Sequence, residues 1–212
     1  MAKAKICGLS SPEGVQAALD GGAAFLGFVF FAKSPRNLSP EAAAQLAAPA
    51  RGRAEVVAVT VDPDDAELDR IAAVLKPELI QLHGREGPAR VAEVRARTGA
   101  KVSKAVPIAA AADLAAAAVY EDVADYLMLD AKAAPGAALP GGNGEAFDWR
   151  LAAERRFARP WFLAGGLDPW NVADAVRLSG AALVDVSSGV ERGAGYKDPR
   201  LISAFLDAVR RA

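Results

Sequence analysis

Eight short apolar segments alternate with helix-like segments along the whole chain. Each apolar segment is continuously hydrophobic rather than alternating in polarity, which is typical of parallel strands covered on both faces. Parallel strands joined by helices form either a doubly wound open sheet or a closed (β/α)8 barrel. Eight such units in 212 residues, with no linker between them, favour an α/β fold with one compact TIM barrel over residues 1–212. The predicted strands are residues 4–7, 25–30, 55–61, 79–82, 102–106, 126–129, 161–164 and 183–186.

Five of the intervening segments begin with a capping residue directly before a proline. Serine and aspartate cap helix N-termini, and proline is favoured at the first helical position. We therefore expect helices to begin at these five places. They are Ser11-Pro12, Ser39-Pro40, Asp62-Pro63, Asp168-Pro169 and Asp198-Pro199.

Composition excludes several classes of protein. Basic residues are spread along the chain and the formal net charge is −1, so no nucleic-acid partner is expected. No leader pattern and no apolar run long enough to span a bilayer are present, so we expect a cytoplasmic protein without membrane contact. The single cysteine, Cys7, excludes an intrachain disulfide, and with a single histidine, His83, no metal site is expected.

Two residues at predicted strand ends have acid–base potential. In a barrel, the carboxyl ends of the strands face one common site. Cys7 follows the first strand, where a thiol is more exposed than within a strand, and it is a base, a nucleophile or simply a small buried residue. Asp130 ends an apolar strand, where desolvation suits a general acid; the alternative is a helix cap or an ion pair with Lys132.

Loops after the last strands have the features of a phosphate site. Gly165-Gly166 precedes a predicted helix start, and Ser187-Ser188-Gly189 follows strand eight. Exposed backbone N–H groups at such turns bind anions, although the same glycines also serve simple turn geometry. A long glycine-rich loop at residues 133–144 follows strand six, and loops of that kind are often functional.

Three further polar residues lie near the same strand ends. Arg36 stands in a proline turn beside aromatic residues, a setting that suits recognition of a planar carboxylate, although a solvated arginine is the alternative. His83 is a base, a ligand contact or a satisfied polar residue, and we favour a contact. Asp185 lies on strand eight itself.

These segments together resemble one enzyme family, phosphoribosylanthranilate isomerase. The likeness runs in order from the first strand to Lys197-Asp198, with small departures at Ser10, Gly14, Arg85 and Ala194. No single segment is specific, but their order and spacing are. The segments are Lys5-Ile6-Cys7-Gly8, Ser34-Pro35-Arg36, Gln81-Leu82-His83-Gly84, Leu129-Asp130, Gly141-Gly142-Asn143-Gly144, Phe147-Asp148-Trp149, Ala164-Gly165-Gly166-Leu167 and Asp185-Val186-Ser187-Ser188-Gly189-Val190-Glu191.

The resemblance implies an activity in tryptophan biosynthesis, the Amadori rearrangement of N-(5-phosphoribosyl)anthranilate to 1-(2-carboxyphenylamino)-1-deoxyribulose 5-phosphate. It implies that Asp130 is the general acid and that Cys7 is the general base. It implies no cofactor and no metal, a small phosphosugar as the partner, and a monomer or a homodimer.

The resemblance also implies which residues bind the substrate. Arg36 would bind the anthranilate carboxylate, and Asp185 would contact the anthranilate amine or a sugar hydroxyl. Gln81 and His83 would line the pocket. The phosphate would be held by Gly142, Gly144, Gly165, Gly166, Ser188 and Gly189.

Two other functions compete with this one. The barrel isomerase of histidine synthesis performs an equivalent rearrangement, and its family resembles this chain but has aspartate where Cys7 stands and shows two similar halves. A barrel without catalytic activity, kept for binding or as a scaffold, is the second. The presence of both Cys7 and Asp130 argues against that second function.

Overall fold

Eight parallel strands close into a barrel in the computed structural model of this chain. The structure describes residues 1–134, 136, 139–142, 144, 146–153 and 155–212. Neighbouring strands pair in chain order, and β1 pairs with β8 to close the ring. The strands are β1 (Lys3–Cys7), β2 (Phe25–Phe30), β3 (Glu55–Thr60), β4 (Leu79–Leu82), β5 (Lys101–Ile108), β6 (Tyr126–Ala131), β7 (Trp161–Leu163) and β8 (Leu183–Val186).

All eight predicted strands are confirmed, and each is followed by a helix before the next strand or at the end of the barrel. The largest difference is β5, which is longer than expected at both ends. The helices are α1 (Pro12–Asp20), α2 (Pro40–Ala47), α3 (Asp65–Val74), α4 (Pro88–Thr98), α5 (Ala111–Ala118), α6 (Arg150–Ala153), α7 (Val172–Ser179) and α8 (Pro199–Arg211). Within the described ranges, no helix combines the length and the apolar character that a membrane crossing requires.

Three of the five predicted helix starts are confirmed. The side chains of Ser11, Ser39 and Asp198 each accept a backbone N–H bond from the first turn of α1, α2 and α8. Each of these helices has proline in its first turn, as expected from the fixed backbone angle of that residue.

The other two predicted starts are wrong. Asp62 has a left-handed φ of 47° and its carboxylate accepts the backbone N–H of Arg85, so it braces a loop while Asp64 caps α3. Asp168 accepts the N–H groups of Trp170 and Asn171 in a turn, and α7 begins only at Val172. The carboxylate of Asp168 is engaged in a local turn and that of Asp62 by a loop N–H 23 residues away, and both bonds compete with helix capping.

Two layers of apolar packing fix the orientation of the strand residues. Outward-facing residues pack against the helices in one large cluster. Inward-facing residues fill the barrel, where Phe25, Tyr126 and Phe162 form an aromatic group with ring centroids 5.1–6.2 Å apart. Because strand side chains alternate, the inward face continues upward to polar residues at the carboxyl ends of the strands.

A short hairpin follows β8 before the last helix. A 3-10 turn over Ser188–Val190 leads into β9 (Glu191–Gly193), which pairs antiparallel with β10 (Tyr196–Lys197). The hairpin places Glu191 and Lys197 against the β2–α2 loop, at the edge of the strand ends.

Candidate active site

A cavity that is open to solvent lies at the carboxyl ends of the strands. Ligand sites in barrels of this kind are built there from the loops that follow the strands. The cavity is lined by most of the residues that the sequence singled out, namely Cys7, Arg36, Gln81, His83, Asp130, Gly142, Gly144, Gly165, Gly166, Asp185 and Ser188. The remaining one, Gly189, lines an adjoining depression.

Cys7 lines the cavity but is only 6% exposed, so the expectation of an exposed thiol is wrong. Its side chain points into the barrel with the apolar inner residues, and burial raises the pKa of the thiol. The Lys5 ammonium lowers that pKa in part, as does Lys197. Gly27 on β2 makes room here, since a Cβ on residue 27 would lie 3.2 Å from Cys7 Sγ.

Lys5 lies one inward position below Cys7, and sequence reasoning misses it as a functional candidate. Its side chain is fully buried, and Nζ lies 2.8 Å from Oδ1 of Asp185, its register partner on β8. Burial alone would lower the pKa of Lys5, but Asp185 and Cys7 raise it above its usual value. Lys5 is therefore a buried ammonium close to the thiol. A lysine two positions before a cysteine on a buried strand is the signal that could have identified it.

Asp130 is 6% exposed at the end of β6 and is held by two partners. Its Oδ1 accepts the backbone N–H of Ala131, and its Oδ2 lies 3.0 Å from His83 Nε2. Among the described residues, its side chain therefore pairs with His83 rather than with Lys132. The other ring nitrogen of His83, Nδ1, lies 2.8 Å from Nε2 of Gln81.

Gly141, on the loop after β6, covers this pair. A Cβ on residue 141 would lie 2.6 Å from both Asp130 Oδ2 and His83 Nε2. No real Cβ comes so close, so glycine allows the loop to approach the pair directly. The glycine-rich loop predicted at residues 133–144 therefore contacts the candidate acid, although its residues Pro135 and Asn143 lie outside those that the structure describes.

Arg36 is buried, not solvated, and is held by a residue that sequence reasoning did not assign. Its Nε and Nη2 lie 2.7 Å and 2.9 Å from the two carboxylate oxygens of Glu191. Burial would raise the pKa of Glu191, but Arg36 and Lys197 lower it below its usual value. The bidentate pair uses one edge of the guanidinium, and Nη1, which is next to Gly142, takes no part in it.

Five of the six predicted phosphate residues line the adjoining depression, and the sixth, Gly165, lines the main cavity beside Ala131. The prediction that a helix begins directly after Gly165-Gly166 is wrong, because a turn separates these glycines from α7. The N–H groups available there belong to loops and to one 3-10 turn. The residues lining the depression are Gly142, Gly144, Gly166, Ser188 and Gly189, together with Arg36, Leu167, Asp168, Glu191, Arg192, Gly193 and Ala194.

In the part of the chain that the structure describes, no group of three His, Cys, Asp or Glu side chains is placed to hold a metal ion. The charged groups of the cavity instead form pairs, Lys5 with Asp185 and Arg36 with Glu191. The arrangement offers a thiol, a carboxyl group and an arginine edge around one space.

Comparisons with known proteins agree on one family. The family model described as N-(5'phosphoribosyl)anthranilate (PRA) isomerase matches residues 4–208. A protein of Caulobacter vibrioides named N-(5'-phosphoribosyl)anthranilate isomerase is 63% identical over 210 residues, which cover 99% of this chain and 96% of that protein.

Solved structures with the same fold carry the same description. The phosphoribosyl anthranilate isomerase of Thermotoga maritima superimposes with a TM-score of 0.89 at 32% identity, with full coverage of both chains. Another structure, of the isomerase in complex with reduced 1-(o-carboxyphenylamino)-1-deoxyribulose 5-phosphate, gives a TM-score of 0.86 at 31% identity, again over both whole chains.

Proposed function

The chain belongs to the N-(5'-phosphoribosyl)anthranilate isomerase family and is an isomerase of tryptophan biosynthesis, and we propose that Asp130 and Cys7 carry out its acid–base steps. The observation that carries this proposal is that both side chains, from β1 and β6, line one cavity. General acid–base catalysis requires both groups within reach of one substrate.

In the first step, Asp130 donates a proton to the ring oxygen of the ribose. The bond between C1 and that oxygen breaks, and the nitrogen lone pair forms an iminium with C1. Burial of Asp130 next to His83 keeps water away from the proton that is transferred.

In the second step, the Cys7 thiolate removes the proton from C2. The C2–H electron pair forms a double bond to C1, and the electrons of the iminium return to nitrogen. The resulting enol gains a proton at C1 and loses its hydroxyl proton to give the ketose, so the reaction is an isomerisation.

The thiolate requires a cation nearby, because burial raises the pKa of the Cys7 thiol. We assign this part to Lys5, the buried ammonium next to Cys7, with the iminium of the substrate adding a second positive charge. The pairing of Lys5 with Asp185 keeps the ammonium charged.

Substrate binding follows from the charges around the cavity. Nη1 of Arg36, which takes no part in the pair with Glu191, lies next to Gly142 and is our candidate for the anthranilate carboxylate, while Glu191 orients the guanidinium. Asp185 is our candidate for the anthranilate amine or a sugar hydroxyl, and Gln81 and His83 line the pocket. The loop glycines and Ser188 offer backbone N–H groups to the phosphate.

We also propose one domain over residues 1–212, a cytoplasmic location, no cofactor, and a monomer or homodimer. The continuous barrel and the single free thiol support the first two of these. A solved structure of the isomerase from Thermotoga maritima is described as mutually generated monomers of a dimeric enzyme.

The assay follows the fluorescence of phosphoribosylanthranilate as the purified protein consumes it. We expect Cys7→Ser and Asp130→Asn each to lower kcat by about 100-fold or more, with KM within about tenfold, because each removes one proton-transfer group. The matched control is Asp20→Asn, an exposed carboxylate on α1, which should keep full activity. Near-normal kcat in either site variant would contradict the acid–base assignment.

A further inference from the structure

Gln81 stands at the inner end of a line of three side chains that leads to the proposed acid. It is 1% exposed, its Nε2 lies 2.8 Å from His83 Nδ1, and His83 Nε2 lies 3.0 Å from Asp130 Oδ2. The amide oxygen, Oε1, is buried and has no hydrogen-bond partner among the residues that the structure describes. Because no described residue bonds that end of the amide, its hydrogen bonding does not fix the amide in one orientation.

In the orientation of the Gln81 amide seen here, the hydrogen bonds fit an Asp130 that has given up its proton. An amide nitrogen only donates, so His83 Nδ1 must accept, and a neutral ring then carries its proton on Nε2. That Nε2–H donates to Asp130 Oδ2, which is therefore an acceptor, as in an ionised carboxylate. The other oxygen of Asp130 also accepts a bond, from the N–H of Ala131.

If the Gln81 amide is rotated by half a turn, its hydrogen bonds fit a His83–Asp130 pair that has kept its proton. Oε1 then faces His83 Nδ1, and because oxygen only accepts, Nδ1 must carry a proton. His83 Nε2 then either accepts the carboxylic O–H of Asp130 or holds the extra proton itself. In both cases the His83–Asp130 pair holds one proton more than in the first orientation.

We infer that the Gln81 amide turns with the proton content of the His83–Asp130 pair, and that Gln81 is a positioning residue for the acid step. The inference rests on the proposed role of Asp130. Gln81, predicted as a substrate contact, lines the cavity, and the inference adds a role that it exerts through His83. Gln81 suits this role because its amide has nearly the same shape in both orientations but exchanges a donor for an acceptor.

The surroundings of Gln81 allow both orientations. Its register partner on β5 is Ser103, whose hydroxyl is also buried without a hydrogen-bond partner among the described residues. Neither Oε1 of Gln81 nor the Ser103 hydroxyl is engaged by the other, so Ser103 does not hold the amide in one orientation. The charged groups on the loop behind β4 are engaged elsewhere, since Lys104 pairs with Glu86 at 2.8 Å and Arg85 contacts Asp62.

The first test reads the protonation of the imidazole ring directly. His83 is the only histidine in the chain, so ¹⁵N-histidine labelling of the full-length protein gives two ring nitrogen resonances, and their long-range couplings to the ring protons distinguish Nδ1 from Nε2. In alkaline buffer, we expect wild-type protein to show an unprotonated Nδ1 and a protonated Nε2. Gln81→Glu, which can only accept, should show a protonated Nδ1 under the same conditions. Identical ring resonances in the two proteins would overturn the inference.

The second test asks whether Gln81 acts through His83. Gln81→Leu, which supports neither state, should lower kcat about tenfold, the size expected for one lost hydrogen bond, with KM unchanged. In a His83→Asn background the same substitution should change kcat by less than about twofold, because coupled residues are not additive. Equal losses in both backgrounds would contradict the inference. Gln81→Met, closer in shape, replaces Gln81→Leu if that variant does not fold.

Asp130→Asn separates this inference from the proposed function. If Asp130→Asn retains its kcat, the acid assignment fails and the inference fails with it. If Asp130→Asn is inactive while Gln81→Glu leaves the ring resonances of His83 unchanged, the inference alone fails.

Discussion

At the scale of single residues, the sequence does not show which group favours ionisation of Cys7, and in the structure Lys5 lies beneath the thiol. A buried thiol resists ionisation, so a base at this position needs a positive charge close to the sulfur. Lys5 provides it at the cost of burying an ammonium, and Asp185 offsets that cost. The Cys7 thiol, the Lys5 ammonium and its counterion Asp185 are therefore electrostatically coupled.

Replacing Lys5 should make the thiol harder to ionise. Lys5 lowers the pKa of Cys7, so Lys5→Met should raise it, and the pH at which the thiol reacts with iodoacetamide should move upward. Because Cys7 is the only cysteine, alkylation of the whole protein reports this one group. In buffer well below the thiol pKa, a tenfold smaller acid dissociation constant leaves about tenfold less thiolate and slows alkylation in proportion.

The control for this experiment is on the same strand. Lys3→Met removes an exposed lysine from β1 and should leave the alkylation profile unchanged. Lys5→Met also leaves Asp185 buried without its cation, so the double variant Lys5→Met/Asp185→Asn should be more stable than the single one. An alkylation profile in Lys5→Met that matches wild type would rule out a role for Lys5 in ionising Cys7.

Sequence reasoning places the proposed acid and base but not the residues that hold them. Cys7 and Asp130 stand at strand ends, a position that local sequence shows. Lys5 and Glu191 pair with residues 180 and 155 positions away in the chain, and such pairs follow only from the closed barrel. The burial of Cys7 could not be predicted for a similar reason, since Gly27 on β2 and the inward-facing residues packed around it come from elsewhere in the chain.

At the scale of elements, the loop after β6 controls how tightly the acid is enclosed. Gly141 lies directly over the bond between His83 and Asp130. Gly141→Ala should lower kcat by at least about tenfold, because the added methyl group would displace one of these side chains or the loop, and small misplacements at an active site are costly. The measurement is steady-state kinetics with the fluorescence assay.

The matched control is Gly87→Ala, at the start of α4, where a Cβ would meet nothing within 4 Å. It should retain wild-type kcat. Wild-type kcat in Gly141→Ala would show that the loop does not enclose the acid as described.

At this scale, the N-termini of the helices show when a local cap motif predicts where a helix begins. The side chains of Ser11, Ser39 and Asp198 accept N–H groups from the first turns of their own helices. Asp62 and Asp168 also stand directly before a proline, but their carboxylates bind loop N–H groups instead. A cap motif therefore predicts a helix start only where no loop N–H group competes for the side chain.

At the scale of the whole molecule, the apolar runs predict parallel strands covered on both faces, a pattern that fits an open doubly wound sheet as well as a closed barrel. The presence of eight such units in 212 residues favours the barrel, which the structure confirms. The same pattern does not show which two strands pair to close the barrel. The seam between β1 and β8 joins opposite ends of the chain, and α8 packs beside it.

Stability should therefore depend strongly on α8. Phe205 on its buried face is fully enclosed, so Phe205→Ala should lower the free energy of unfolding by about 3–5 kcal/mol, through lost burial and a residual cavity. Urea denaturation followed by circular dichroism measures the loss, and Ser203→Ala, on the exposed face of the same helix, should cost far less. Because Phe205 does not line the cavity, kcat of the folded variant should stay close to wild type. A variant that is as stable as wild type would mean that the last helix does not secure the closure of the barrel.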